Sequence, residues 1–190
     1  MGREFELKYE ASPEILEKIR EKYGDFTEIS METTYYDTPA LDLRQRRWTL
    51  RRRMENGRSV CTVKIPLADG SRGEWEVEST DLTAGAAELC GMGAPEEIMD
   101  YVNQGVLPFC GARFTRLAKT IALPGGCVEL ALDQGVLLGG GKELPFAEAE
   151  VELKSGSDGT ALSFAEALAK EFALKPQPKS KLARAMALAD

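Results

Sequence analysis

Three stretches of this sequence place carboxylates at every second position. They are Glu4 and Glu6 ahead of Lys8, then Glu74, Glu76 and Glu78, then Glu148, Glu150 and Glu152. Cations repeat with the same period at Arg51 and Arg53, and Lys64 stands on the next apolar-polar run. A strand sends successive side chains to opposite faces, so each set shares one face. The opposite faces are apolar: Phe5, Leu7 and Tyr9; Trp75 and Val77; Ala149, Val151 and Leu153. Such a polar face ordinarily meets solvent. A solvated strand, however, mixes its charges, because like charges crowded on one face repel. Carboxylates on some strands and cations on others instead suit one shared polar cavity, with apolar faces turned outward under helices.

Clustered carboxylates bind hard, oxygen-loving cations, Mg²⁺ or Mn²⁺. Clustered Arg and Lys bind phosphate, Arg through its planar fork and Lys as a point charge. Together they predict a polyphosphate taken up with a divalent metal. Arg113 and Arg116 offer a third cationic strand. They differ in parity, so a regular strand cannot point both inward, and both stay candidates.

The chain contains no histidine. That removes Ser-His-Asp triads, Cys-His pairs and imidazole bases. Proton chemistry near neutrality is left to carboxylates, Lys, Tyr, Cys and water on a metal. Cys61, Cys90, Cys110 and Cys127 show no CxxC spacing and are read as reduced thiols of a cytoplasmic protein. Against 24 Lys and Arg stand 31 Asp and Glu, a formal net charge of −7, which argues against nucleic acid or an anionic membrane as partner. No apolar run is long enough to span a bilayer, and the charged N-terminus has no secretory signature.

The elements that must position these residues are mostly strands. Strands are predicted over 3–10, 32–37, 47–54, 59–65, 73–79, 112–123, 127–133 and 146–154. Asn56-Gly57 is a hairpin signal between the third and fourth. Helices are predicted over 13–23, behind Ser12-Pro13, and over 82–91, 95–104, 158–173 and 180–189. Tight turns between neighbouring strands favour an antiparallel α+β fold over a doubly wound one. The expectation is one domain over residues 1–190.

Several blocks resemble the CYTH superfamily, the triphosphate tunnel metalloenzymes. EFELK at 4–8 matches the family's ExExK signature. YYDTPALDL at 35–43 with WTLRRR at 48–53, VKIP at 63–66 and RGEWEVE at 72–78 are similar to its middle blocks. ELALDQG at 129–135, AEAEVELKSG at 147–156 and PKSKLARA at 178–185 are similar to its late ones. The late blocks look most like the inorganic triphosphatase subgroup. The resemblance implies an eight-stranded antiparallel closed β-barrel, the triphosphate tunnel, with helices packed outside. It implies metal-dependent hydrolysis of a triphosphate, with tripolyphosphate the leading substrate; an adenylate cyclase, a thiamine triphosphatase and a non-catalytic polyphosphate-binding module are the alternatives.

On this resemblance Glu4 and Glu6 hold metal and act in catalysis with Lys8. Lys8, Arg51, Arg53, Lys64 and Lys181 contact phosphate, joined by Arg113 or Arg116. Glu74 and Glu76 are tunnel carboxylates on the metal side, and Glu148 and Glu150 are late-strand metal ligands. Glu78, Glu129, Asp133 and Glu152 share the inward faces and are placed toward the tunnel ends. Oligomeric state stays open.

Two signals are set aside. GVLLGGGKE at 135–143 fails the GxxxxGK[ST] spacing and is read as a hairpin loop. RQRRWTLRRR holds six Arg in ten residues, and the acidic remainder favours splitting it, Arg51 and Arg53 inward and the others toward solvent or ion pairs.

Overall fold

The computed structural model describes residues 2–3, 5–68 and 72–189. Its strands are β1 (Gly2–Arg3), β2 (Glu6–Glu10), β3 (Thr27–Asp37), β4 (Thr49–Glu55), β5 (Arg58–Pro66), β6 (Arg72–Glu78), β7 (Leu107–Leu123), β8 (Gly126–Gly139), β9 (Lys142–Ser155) and β10 (Lys175–Pro176). Its helices are α1 (Pro13–Tyr23), α2 (Asp42–Gln45), α3 (Leu82–Gly91), α4 (Glu97–Gly105), α5 (Asp158–Phe172) and α6 (Lys181–Ala189). None is long and apolar enough to cross a membrane.

All strand pairs are antiparallel, in the order β1-β6-β5-β4-β3-β7-β8-β9-β2-β10. The antiparallel sheet with helices agrees with the expectation. Among the described residues the hydrogen-bonded order runs from β1 to β10 without a pairing that joins its two ends. Curvature is nevertheless imposed covalently. Arg3 pairs with Gly73 on β6, and Glu6 pairs with Glu152 on β9. Three residue steps span at most about 11 Å, so the β6 edge and the β9 side must curl toward one another.

Turn chemistry sets the hairpins. Asn56 and Gly57 both take positive φ, 49° and 84°, the mirror-image turn whose twist matches two antiparallel strands. Gly140 and Gly141, at φ 57° and 73°, join β8 to β9, so the glycine run is a hairpin turn. β7, β8 and β9 run beyond the predicted ends. The missed segments 107–111 and 134–139 carry adjacent apolar residues and glycines, which hide the period of two.

The outer faces pack as two apolar clusters. Leu7 and Tyr9 of β2 join Val128, Leu130 and Leu132 of β8 and Ala149 and Val151 of β9 under α1 and α5. Helix α1 starts where the Ser12 hydroxyl accepts the Ile15 N–H at 3.3 Å, with Pro13 supplying no N–H. Helix α5 buries Ala161, Ala165 and Leu168 and leaves Leu162 exposed. On the other side, Cys61, Val63 and Trp75 pack under α3 and α4 through Ala86, Leu89 and Ile98.

Helix α6 breaks the expected rule that helices pack outside. It lies on the inward face at one end of the sheet. Ala185 is fully buried among Met31, Tyr35, Cys110, Ala112, Phe114 and Leu137, with Leu182, Met186 and Leu188 beside it. The approach needs glycine. A Cβ on Gly139 would stand 2.3 Å from the Ala185 carbonyl oxygen.

Candidate functional site

The concave face holds a cavity of about 780 Å³ lined mostly by charged side chains. The alternation seen in sequence builds it. Arg51 and Arg53 of β4, Lys64 of β5, Arg72, Glu74 and Glu76 of β6, and Arg116 of β7 point in. So do Glu6 and Lys8 of β2, Glu129 of β8, Glu150, Glu152 and Lys154 of β9, and Lys181 at the start of α6. Glu4 lies outside the described residues.

The wall of β2, β8 and β9 is ordered in cross-strand rows. Glu6 stands opposite Glu152, which stands opposite Glu129. Two rows away, Glu10, Glu148, Asp133 and Arg116 lie in line across four strands. Asp133 and Glu148 are completely buried. Arg116 grips Asp133 with both fork nitrogens, at 2.8 and 2.7 Å, and also pairs with Glu150. The Lys181 ammonium stands among three carboxylates, 2.6 Å from Asp133, 2.8 Å from Glu150 and hydrogen-bonded to Glu148. Arg184, one turn along α6, donates to the other oxygen of Glu148.

These contacts set the titration. Burial opposes the charged form of Glu150, but Lys181 and Arg116 outweigh it and hold the carboxyl well below its usual range. Burial likewise opposes the charge of Lys181 and Arg116, and the carboxylates around them push both upward. Glu148 goes the other way. Its burial raises it more than Lys181 lowers it, and Glu150 raises it further.

The wall of β4, β5 and β6 is looser. Arg51 reaches Glu76 at 3.3 Å and Glu74 at 3.6 Å, and Lys64 reaches Glu74 at 3.1 Å. Arg53 donates to the Thr33 hydroxyl at 2.9 Å, and Glu55 is 3.9 Å away. Burial and the neighbouring Arg51 push the Arg53 guanidinium down to about 10. On Glu76, burial is outweighed by Arg51, the Thr62 hydroxyl and Lys64, which hold the carboxyl low. Arg72 leaves its buried Nε without a hydrogen-bond partner among the described residues.

Of the two candidates on β7, Arg116 faces the cavity. Arg113 does not: it is exposed on the outer surface and pairs there with Glu143 at 3.0 Å. The parity that left the choice open is resolved by the register, which sets Arg116 opposite Asp133 and Arg113 opposite Val136. Glu78 lies off the cavity, paired with Arg58 at the surface. Asp133, expected toward a tunnel end, sits at the centre of the buried network. Arg72, Lys154 and Arg184 were not picked out. Arg72 shares its face with Glu74 and Glu76, and Lys154 shares its face with Glu150 and Glu152, so the period of two could have found both.

The Arg run divides. Arg51 and Arg53 point in, Arg52 donates outward to the Thr80 carbonyl, and Arg46 stacks 5.0 Å from the Trp48 ring. Buried Asp37 explains the preceding YYDTP block. Its carboxylate accepts the N–H groups of Thr38, Leu43 and Arg44, folding the chain back into β4.

Comparison with known proteins agrees with this geometry. The CYTH domain matches residues 2–186. The chain belongs to the CYTH domain family. An inorganic triphosphatase of Haemophilus influenzae is 30% identical over 178 residues, covering 88% of this chain and 50% of that protein. The chain thus spans about half the length of that curated relative. Among solved structures, a Bacillus halodurans protein superposes with a TM-score of 0.68 at 20% identity, covering 95% of this chain and 96% of its own. A Hippeastrum protein with a dominant triphosphatase activity gives 0.67 at 19% identity over 96% and 94%. Both show that this chain shares their fold.

Proposed function

We propose that this CYTH protein hydrolyses a triphosphate, inorganic tripolyphosphate to pyrophosphate and phosphate, with Mg²⁺ or Mn²⁺. The observation that carries the reading is the cavity itself: Arg51, Arg53, Lys64, Arg72, Glu74 and Glu76 on β4, β5 and β6 face a wall rich in carboxylates on β2, β8 and β9. The 30% identity to an inorganic triphosphatase supports the same substrate class.

The residues present fit a divalent ion. Glu6, Glu152 and Glu129 stand directly opposite one another, an arrangement that repels unless a cation lies against it. Within the row, Lys154 reaches Glu152 at 2.9 Å and Glu129 only at 3.9 Å. Carboxylate oxygens are the donors that hard cations select. Glu6, Glu150 and Glu152 would hold the ion together with Glu4, and Glu74 and Glu76 extend the donor set across the cavity. The ion would neutralise phosphate charge and make water more acidic.

The chain's own residues do the rest. Arg51, Arg53, Lys64 and Arg116 hold phosphate oxygens and orient the chain for attack in line with the leaving group. Arg72 lines the same cavity. Lys8, 3.0 Å from Glu6, links the metal side to the phosphate side. With no histidine, a carboxylate accepts the proton of the attacking water. Phosphate release from tripolyphosphate with Mg²⁺ or Mn²⁺ tests this. Release no greater than that of a Glu6→Gln variant would sink it, and cyclic AMP as the dominant product from ATP would replace it with a cyclase.

A further inference from the structure

Asp133, Glu148 and Glu150 bring carboxylate oxygens within 4.8 Å of one another, a grouping that could receive a metal ion. In this chain the place is already filled by its own cations. Lys181 contacts all three carboxylates, Arg116 binds Asp133 and Glu150, and Arg184 binds Glu148. Three carboxylates meet three cations, so the set is neutral without a metal. Glu148 differs from Glu150 in a second way. It is fully buried and does not line the cavity, whereas Glu150 does. Both its oxygens are taken by residues of α6.

Resting on the triphosphate reading above, we propose that Glu148 is a positioning residue and not a metal ligand: it fixes Lys181 and Arg184, and through Lys181 it sets the cation that α6 presents to the phosphate chain. Two independent features support this. Lys181 lines the cavity while its ammonium is anchored from behind by Glu148 and Asp133. Helix α6 is docked by close backbone contact, with Gly139 and Gly140 under the Ala185 and Leu188 carbonyls. A helix held that closely keeps its first residue in one place, and a buried carboxylate bridging positions 181 and 184 locks the first turn.

The test is Glu148→Gln, which keeps the shape and one acceptor oxygen but removes the charge. Mn²⁺ binding to the protein alone is followed by electron paramagnetic resonance. Tripolyphosphate binding is followed by calorimetry, and hydrolysis by phosphate release. The expected result is wild-type Mn²⁺ affinity, with KM and the tripolyphosphate Kd raised about tenfold and a smaller change in kcat, as suits one weakened charge-assisted contact. Gly139→Ala provides a second route, since its Cβ meets the Ala185 oxygen and shifts α6 with Glu148 intact. It should raise KM in the same way. Adding Glu148→Gln to Lys181→Gln should produce no further loss, because Glu148 acts through Lys181.

Loss of Mn²⁺ binding as severe as in Glu6→Gln would make Glu148 a ligand and overturn the proposal. So would an unchanged KM, or additive losses in the double variant. A wild type that binds tripolyphosphate without hydrolysing it would sink the hydrolytic reading and leave the positioning role standing through the Kd. A wild type that binds no tripolyphosphate overturns both.

Discussion

The two walls of the cavity carry the same residue types in opposite electrostatic conditions. On the β2–β8–β9 side, Arg116 and Lys181 sit against Asp133, Glu148 and Glu150, and carboxylates raise both cations. On the β4–β5–β6 side, Arg53 is about as buried as Arg116, yet burial and Arg51 push it down to about 10. Arginine stays protonated through neutral pH. Burial and Arg51 thus lower the one guanidinium, whereas carboxylates beside the other raise it. On the first wall the buried Asp133, Glu148 and Glu150 are neutralised by Arg116, Lys181 and Arg184. The other holds cations in excess of what its carboxylates satisfy, and an anion would complete it. Stability and binding should accordingly separate between the walls.

The largest expected effect lies on the self-neutralised wall. Lys181→Met removes the cation that three buried carboxylates share, leaving two cations for three charges, and should cost about 3–5 kcal/mol, the usual result of removing one partner of a buried ionic set. Urea denaturation measures it. A loss no larger than a surface substitution would mean that the network is not the brace it is taken to be.

Arg53→Ala should do the reverse. Stability should stay within about 1 kcal/mol because an ill-compensated charge is removed. Tripolyphosphate affinity should fall by about 2 kcal/mol, the scale of a lost hydrogen bond to a charged group. Calorimetry beside the same urea experiment reads both. Arg53→Ala as destabilising as Lys181→Met would abolish the contrast between the walls.

A pH titration sharpens the comparison further. Because the folded pKa of Glu150 is lowered, its ion pairs stabilise fully above the unfolded value of about 4.3 and are lost as pH falls through the lowered value. Glu148 is raised, so its protonation below its own folded value offsets part of that loss. The wild type should lose more Tm than Glu150→Gln on going from about pH 6 to about pH 3. Parallel curves would show that Glu150 is not the group that titrates. The smallest effect belongs to the outer surface, where Arg113→Ala breaks only an exposed pair with Glu143. It should change stability by less than about 0.5 kcal/mol and leave phosphate release unchanged.

Much of the inward surface was legible because strand geometry leaves little freedom. Glu74, Glu76, Glu148 and Glu150 repeat at a period of two, and no pleated backbone can divide such a set between its faces. Apolar partners on the opposite positions then fix which way the set points, since Trp75 and Val151 must find a core. Asn56-Gly57 and Ser12-Pro13 marked a hairpin and a helix start for equally local reasons, a left-handed backbone and a missing N–H.

What stayed hidden depends on contacts between distant parts of the chain. Arg113 and Arg116 could not be separated until β8 set the register and placed Asp133 opposite Arg116. Helix α6 reads as an ordinary amphipathic helix. Only the fold turns it inward, because glycines 40 to 50 residues earlier leave room for its backbone. That placement carries Lys181 into the carboxylates and makes Glu148 a support beneath the site. A sequence fixes which face a residue shares with its neighbours along a strand. Which charges then neutralise one another is decided by distances across strands, and those exist only once the sheet has curled and α6 has docked.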